Sequence, residues 1–442
     1  MKRFIETLKN IYKIEDLRKR ILFTLGILLV YRLGVHIVLP GINPDALEGL
    51  QKQTSGGIMG LLDMFSGGAF SQASIFALGI MPYISSSIVV QLLGIAIPYF
   101  QRLQKEGESG RKKISQITRY LTVIITIFQA PAFITNLKAQ APGAMADGQF
   151  FWILSIIILV AGTIFIMWLG EKITDRGIGN GISLIIMIGI IARLPYALTA
   201  EFSMRLEGAG GLIMFLVEIV MLLLVIIFSI LLVQGTRRIP VQYAKRIVGN
   251  KQYGGVRQYL PLKVNMAGVM PIIFAQALMF VPLAIAGFGV GSMSGMSALM
   301  NMNGFWYNFL TALLIILFTY FYTAIQFNPT QMAEDMKKNG GFIPGVKPGK
   351  KTVEFLDNIM SRITLPGSIF LAFVAILPVF ARQFGVSQQF AAFYGGTSLL
   401  IMVGVILDTL QQIESHLLMR HYDGLMKSGR IKGRAGGIAS GM

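Results

Sequence analysis

Side chains able to make and break bonds are scarce in this chain. It has no cysteine, which removes disulfides, thiolate metal sites and cysteine nucleophiles together. Its three histidines, His36, His416 and His421, have no mid-span nucleophile beside them and form no HExxH pair, so an intramembrane protease finds neither a catalytic set nor metal ligands. The stretch GVKPGKKT from Gly345 has the lysine and hydroxyl of a phosphate-cradling loop, but three residues separate its glycines instead of four. No strand and helix are expected to frame it, ATP binding is rejected, and no cofactor is predicted. Two acids, Glu218 and Asp408, fall within apolar stretches, where an ionisable group is costly and normally faces protein or water. For both, a structural and a functional role stand at even odds.

What remains is aliphatic spacing. Ile84 with Ile88, and Ile182 with Ile186, stand four residues apart, which puts each pair on one face of a helix. Isoleucine in an apolar helix usually faces lipid or a neighbouring helix, so spacing alone is a weak argument for a pore.

The elements that would carry these residues belong in a bilayer. Of 442 residues, 54% are hydrophobic and 14% charged, with a mean hydropathy of +0.64, above what a water-facing fold carries. A bilayer core needs roughly 20 apolar residues as helix. Ten such runs are predicted: Ile21 to Leu39, Ala73 to Ile97, Arg119 to Leu137, Phe150 to Gly170, Ile182 to Leu198, Gly211 to Gln234, Met266 to Phe288, Phe305 to Phe327, Leu365 to Phe384 and Gly395 to Ile413. The first follows a basic segment but is too long for a signal-peptide core and lacks a small-residue cleavage site, so it is expected to be retained. Pro82, Pro131, Pro271 and Pro282 read as kinks inside spans.

Numbering the connections alternately puts 33 of the 39 lysines and arginines on the side of the two termini. The positive-inside rule then makes both termini cytoplasmic. Six cations are left for the other side: Arg32, Lys52, Lys138, Arg193, Arg205 and Arg382. Between Arg237 and Lys263 lie seven basic residues and no acid, an excess that topology explains in part and that also suits docking to phosphate or an acidic protein. Between the first two spans, GGIMGLLDMFSGG from Gly56 is apolar, glycine-rich, too short to span, and carries Asp63. Such a stretch suggests a re-entrant segment covered by protein or water.

Six blocks in fixed order resemble the SecY family: ASIFALGIMPYISSSIVVQLL from Ala73, KEGESGRKKISQITRY from Lys105, WLGEKITDRGIGNGIS from Trp168, YAKR at Tyr243, LPLKVNMAGVMP from Leu260 and GGTSLLI from Gly395. The resemblance implies an all-α integral membrane protein with ten transmembrane helices in two pseudo-symmetric halves of five, an inverted repeat around a central pore with a re-entrant plug helix. It divides the chain into a cytoplasmic segment 1–20, an N-terminal half 21–205, a C-terminal half 206–415 with large cytoplasmic loops about 235–265 and 328–364, and a cytoplasmic tail 416–442.

It further implies a channel for unfolded secretory polypeptides that releases hydrophobic segments sideways into lipid. Ile84, Ile88, Ile182 and Ile186 then become pore-ring residues, joined by Ile273 and Ile401 on motif matches, closing round a moving chain and excluding ions. The plug is the stretch near 56–71, in which Met59, Leu62, Met64 and Phe65 rest weakly on apolar walls around Asp63. Gln91 and Gln276 are expected at a lateral gate between spans 2 and 3 and spans 7 and 8. Arg237, Arg238, Lys245, Arg246, Lys251, Arg257 and Lys347 are docking candidates. Many relatives carry an arginine where this chain has Lys347, so a bidentate contact there is absent or relocated. Implied partners are SecE-like and SecG-like small subunits, the SecA ATPase, the ribosome, signal-peptide-bearing preproteins and membrane lipid, in a bacterial inner membrane. A secondary transporter, with a polar midplane site, is the alternative.

Overall fold

The computed structural model describes residues 14–44, 63–140, 143, 145, 148–207, 211–243, 246–248, 251–253, 257–287 and 304–427. Ten long helices follow the ten predicted runs: α1 (Glu15–Val35), α2 (Met81–Ala96), α4 (Glu108–Gln140), α5 (Gln149–Arg176), α6 (Gly181–Glu207), α7 (Gly211–Gln234), α8 (Met270–Gly287), α9 (Phe305–Gln326), α11 (Lys350–Gln383) and α13 (Gly396–Lys427). Short helices α3 (Pro98–Lys105), α10 (Pro329–Lys338) and α12 (Gln388–Ala391) join them. By length and composition seven described helices can cross a membrane, or eight if α2 and α3, bent by 101° to each other, count as one. α1 falls short of that measure because Arg18, Lys19, Arg20 and Arg32 lie within it.

The second span differs from its predicted extent. Helix α2 starts at Met81, not Ala73, and residues 66–80 form turns. Pro82 sits in the first turn of α2, where its missing N–H costs nothing, and Pro271 likewise follows the first residue of α8; neither is a kink. Mid-helix prolines are Pro131 in α4, Pro195 in α6, Pro282 in α8, and Pro366 and Pro378 in α11. The ASIFALGI run is apolar because it is buried in protein, not because it is helical. Its backbone pairs with the end of α1: Leu39 N donates to Ala73 O (3.0 Å) and Ile75 N to Ile37 O (2.9 Å). Gly79, at φ +55°, turns the chain into α2.

The helices pack in two groups. α1, α2, α4, α5 and α6 form one, α7, α8, α9, α11 and α13 the other, and the groups meet extensively through α6 against α7 and α13. Among the described residues, contacts of α2 with α8, or of α4 with α9, are not among the extensive ones.

A cluster of buried charge ties the groups together at the ends of α6 and α7. Arg205 Nε donates to Glu201 (3.2 Å), and its Nη2 donates to Glu218 and to Gly385 O (2.8 Å). Glu201 also accepts from Ser387 N (2.9 Å), and Tyr394 donates its hydroxyl to Glu218 O (2.7 Å). Glu218 is therefore a structural ion-pair partner, while Asp408 is exposed on α13.

The basic loop after α7 folds into strands, which helical reading did not anticipate. β1 (Thr236–Tyr243) lies between β4 (Arg257–Lys263) and β5 (Gly341–Phe342), all antiparallel, and β2 (Arg246–Val248) pairs with β3 (Lys251–Tyr253). Alternation along β1 buries Ile239 and Val241 against Leu262, Ile343, Leu356 and Met360, leaving Arg238 and Pro240 outward. The stretch from Gly345 is framed after all, by β5 before it and α11 after it. β5 is a two-residue antiparallel edge strand, unlike the strand that leads into a phosphate-binding loop.

Removing the cation at the centre of the charge cluster leaves two carboxylates buried without it, which costs about 3–5 kcal/mol. Arg205→Met should lower the thermal midpoint in detergent well below that of the parent, with Arg205→Lys recovering part of it; equal midpoints would contradict the cluster's role.

Candidate functional site

Four helices from both groups bring the predicted isoleucines together. Ile186 (α6) and Ile401 (α13) are buried in one apolar cluster, with Ile84 (α2), Ile182 (α6) and Ile273 (α8) packed on it. Ile88 is buried too, but lies outside that cluster. Met64 and Phe65 belong to the same cluster, which places the segment that carries them in the same apolar core as those isoleucines. Met59 and Leu62, like Lys245, lie outside the described residues.

The seat is made of more than weak apolar contacts. Asp63, 2% exposed, forms an ion pair with Arg193 on α6. The other carboxylate oxygen accepts from Ser71 N (2.8 Å), and Arg193 also reaches Ser71 Oγ (3.4 Å). From α1, Tyr31 donates its hydroxyl to Ser66 O (3.1 Å) and Arg32 donates to Gly67 O (3.0 Å). From α13, Ser398 Oγ approaches Met64 Sδ at 3.1 Å. Within the segment, Ser66 Oγ donates to Asp63 O and accepts from Phe70 N, both at 3.1 Å. Each bond satisfies backbone or charge that would otherwise be stranded in an apolar site.

Close approach makes the fit possible. Gly67, at φ +67°, lies against Gly189 of α6, and a Cβ on Gly189 would stand 3.2 Å from Gly67 Cα. Only glycine suits both the left-handed turn and this contact.

The DRGIGNG block acts as a bracket between α5 and α6. Ile178 N donates to Thr24 of α1 (3.1 Å) and Gly179 N to Gln412 of α13 (2.8 Å), so the turn holds one helix from each group.

Gln91 and Gln276 do not meet. Gln91 donates to Ser87 in its own helix (3.2 Å), and Gln276 accepts from Thr397 of α13 (3.0 Å). Arg237, Arg238 and Lys347 are exposed, while Arg246, Lys251 and Arg257 lie on β2, β3 and β4.

Arg32, Arg193 and Arg205, three of the six cations left over by the topology argument, thus have interior partners. Their presence in or beside apolar spans is the signal that could have found them, by the reasoning that singled out Glu218.

Ten long helices, seven or eight of them apolar and long enough as described to cross a bilayer, define a multi-pass membrane protein. A protein-family model for SecY matches residues 74–410. The protein translocase subunit SecY of Streptomyces scabiei is 45% identical over 435 residues, covering 94% of this chain and 98% of that one. The subunit of the same name in Escherichia coli K12 is 43% identical over 427 residues, covering 95% and 96%. Among solved structures, one described as a protein conducting channel shares the fold with a TM-score of 0.62 at 20% identity, over 90% of this chain and 92% of that chain. A SecY whose plug domain is described as stabilising the closed state gives 0.59 at 19% identity, and Sec61 in the canine ribosome-channel complex gives 0.57 at 19%, each over the same shares of the two chains. The chain belongs to the SecY family.

Gly189→Val would force the seated segment away from α6, and overpacking strain of about 1–3 kcal/mol corresponds to roughly tenfold or more in local opening. A single cysteine at buried Ala69 should therefore react with a maleimide roughly tenfold faster in Gly189→Val than in the otherwise parental chain; equal rates would count against the glycine contact.

Proposed function

We propose that this chain is the channel subunit of a Sec-type translocase, conducting unfolded secretory polypeptides across the membrane and releasing hydrophobic segments sideways into lipid. The observation that carries this reading is the convergence of Ile84, Ile182, Ile186, Ile273 and Ile401, from four helices in two packing groups, on one apolar waist occupied by Met64 and Phe65. A narrow apolar neck excludes water and ions yet yields to a chain of any sequence. A solute carrier would need polar groups at that point. Ile88 completes the ring on α2, and the segment ending near Ser71 is the plug. The two halves are 21–205 and 206–415.

The lateral gate lies where α2 and α4 face α8 and α9, the side on which the groups pack least. Gln91 and Gln276 are its polar residues, each held on its own side in this closed arrangement. The outward face of β1 and β4, with Arg238 and Lys263, and the exposed Lys347 receive the ribosome or the SecA ATPase. The solved ribosome-channel complex of the canine relative supports such a dock. SecE-like and SecG-like subunits complete a channel that is not itself an enzyme. It sits in the inner membrane with both termini cytoplasmic, a reading supported by the 33 of 39 cations counted on one side.

Reconstitution with SecA, a SecE-like subunit and a preprotein tests the reading directly: ATP-dependent protection of the preprotein is expected, and its absence from a folded complex would overturn it. In the same vesicles, Ile186→Ser with Ile401→Ser should raise ion leak while preprotein passage continues. A waist that stayed tight would remove these residues from the constriction. Arg237→Glu with Arg238→Glu should weaken ribosome or SecA binding, most visibly at low salt, without changing membrane insertion.

A further inference from the structure

Asp63 is the only charged residue between Gly56 and Ile80, and it is almost wholly buried. Its partner Arg193 projects from α6, with its side chain 32% exposed. The seat therefore contains one charge that moves with the segment and one fixed to the bundle. The remaining polar contacts to α1, from Tyr31 and Arg32, reach backbone carbonyls and do not depend on which side chains the segment carries.

We infer that Asp63 and Arg193 form the latch that holds the plug in the waist, with Arg193 the positioning residue on the channel wall. The inference rests on reading this segment as the plug. Three features set the latch apart from a general fold contact. The Asp63 carboxylate closes the segment on itself through Ser71 N (2.8 Å), so the anion is presented as part of a preformed loop. The Arg193 guanidinium reaches both Asp63 and Ser71 Oγ (3.4 Å), gripping the two ends of that loop at once. Gly68, at φ +96°, has no side chain, and a Cβ there would lie 3.6 Å from Arg193 Nη2, so the guanidinium rests against the loop backbone.

The physical logic explains how a firm seat remains reversible. Beside the apolar waist the buried Asp63 needs the cation, because in the closed seat it has no water to replace it. Once a polypeptide displaces the segment, Asp63 keeps its bond to Ser71 N while its freed oxygen meets water in the opened passage. Arg193, already one-third exposed, is hydrated where it stands. Separation is costly only while the site is dry, so the latch is strong in the closed state and weak in the open one. The apolar contacts of Met64 and Phe65 seal the waist, and the ion pair sets how long the seal persists without a substrate.

The test uses the purified channel complex in planar bilayers, without ATPase or ribosome. Asp63→Asn and Arg193→Gln should each raise resting ion conductance about tenfold, an effect worth roughly 1.4 kcal/mol. The double variant should leak no more than either single one, because both remove the same interaction. The reciprocal exchange, Asp63→Arg with Arg193→Asp, should restore most of the seal, which general damage to the fold would not allow. Parental conductance in both single variants, additive leaks in the double variant, or an exchange as leaky as the worse single variant would each overturn the latch. Deleting residues 63–71 separates this idea from the reading beneath it. A leaking deletion beside tight single variants removes only the latch, whereas a tight deletion removes plug and latch together.

Discussion

Every backbone polar group and every charge at membrane depth must find a partner, because hydrocarbon supplies none. Regular helices meet this requirement alone, and most of the chain is such helix. Residues 66–80, which form turns, do not, and their placement, with that of Asp63 just before them, organises much of what surrounds them. The carbonyls of Ser66, Gly67 and Ala73 accept from Tyr31, Arg32 and Leu39, the amides of Ser71 and Ile75 donate to Asp63 and Ile37, and the Asp63 charge is met by Arg193. α1 and α6 therefore act as walls with built-in hydrogen-bond partners for a non-helical segment. The close Gly67 and Gly189 contact follows from the need to bring that backbone within reach.

The same requirement shapes how the two helix groups are joined. Arg205, Glu201 and Glu218 are too costly to bury singly, so they are buried together where α6, α7 and the connection from α11 to α13 converge. At its other end α6 is bracketed by the 177–180 turn, whose amides are held by Thr24 and Gln412. α6 thus carries polar ties near both ends and the seated segment in between. Among the described residues, α2 and α4 do not pack extensively on α8 and α9.

The sequence made the helices legible because their signal is length and apolarity, and the family legible because six blocks occur in order. It misled where an apolar run was buried for another reason. ASIFALGI is as hydrophobic as a span, and nothing in its composition separates lipid-facing helix from turns enclosed by protein; only Gly79 and Pro82 hinted at a break. The strands after α7 were hidden beneath a charge count, although alternation of Arg238, Ile239, Pro240 and Val241 was present to be read. The ion pairs could not be derived at all. A sequence shows that Asp63, Arg193, Arg205 and Glu218 are expensive where they stand, but not which carboxylate each guanidinium meets.

In the channel proposed above, the isoleucines and the polar seat answer opposing demands. An apolar waist adapts to any side chain that passes, because dispersion contacts have no directional requirement, but for the same reason it holds an apolar plug without preference. Met64 and Phe65 alone would give a seal that slides. Directional bonds to Asp63, Ser66 and Gly67 fix one position of the segment against α1 and α6, outside the ring of isoleucines themselves. Position is thus specified by groups beside the waist while the waist stays chemically indifferent. A polar ring would fix the plug as well, but it would also bind water and ions and select among passing side chains. Separating the two tasks between the wall and the neck lets one short segment close the passage without making the passage selective.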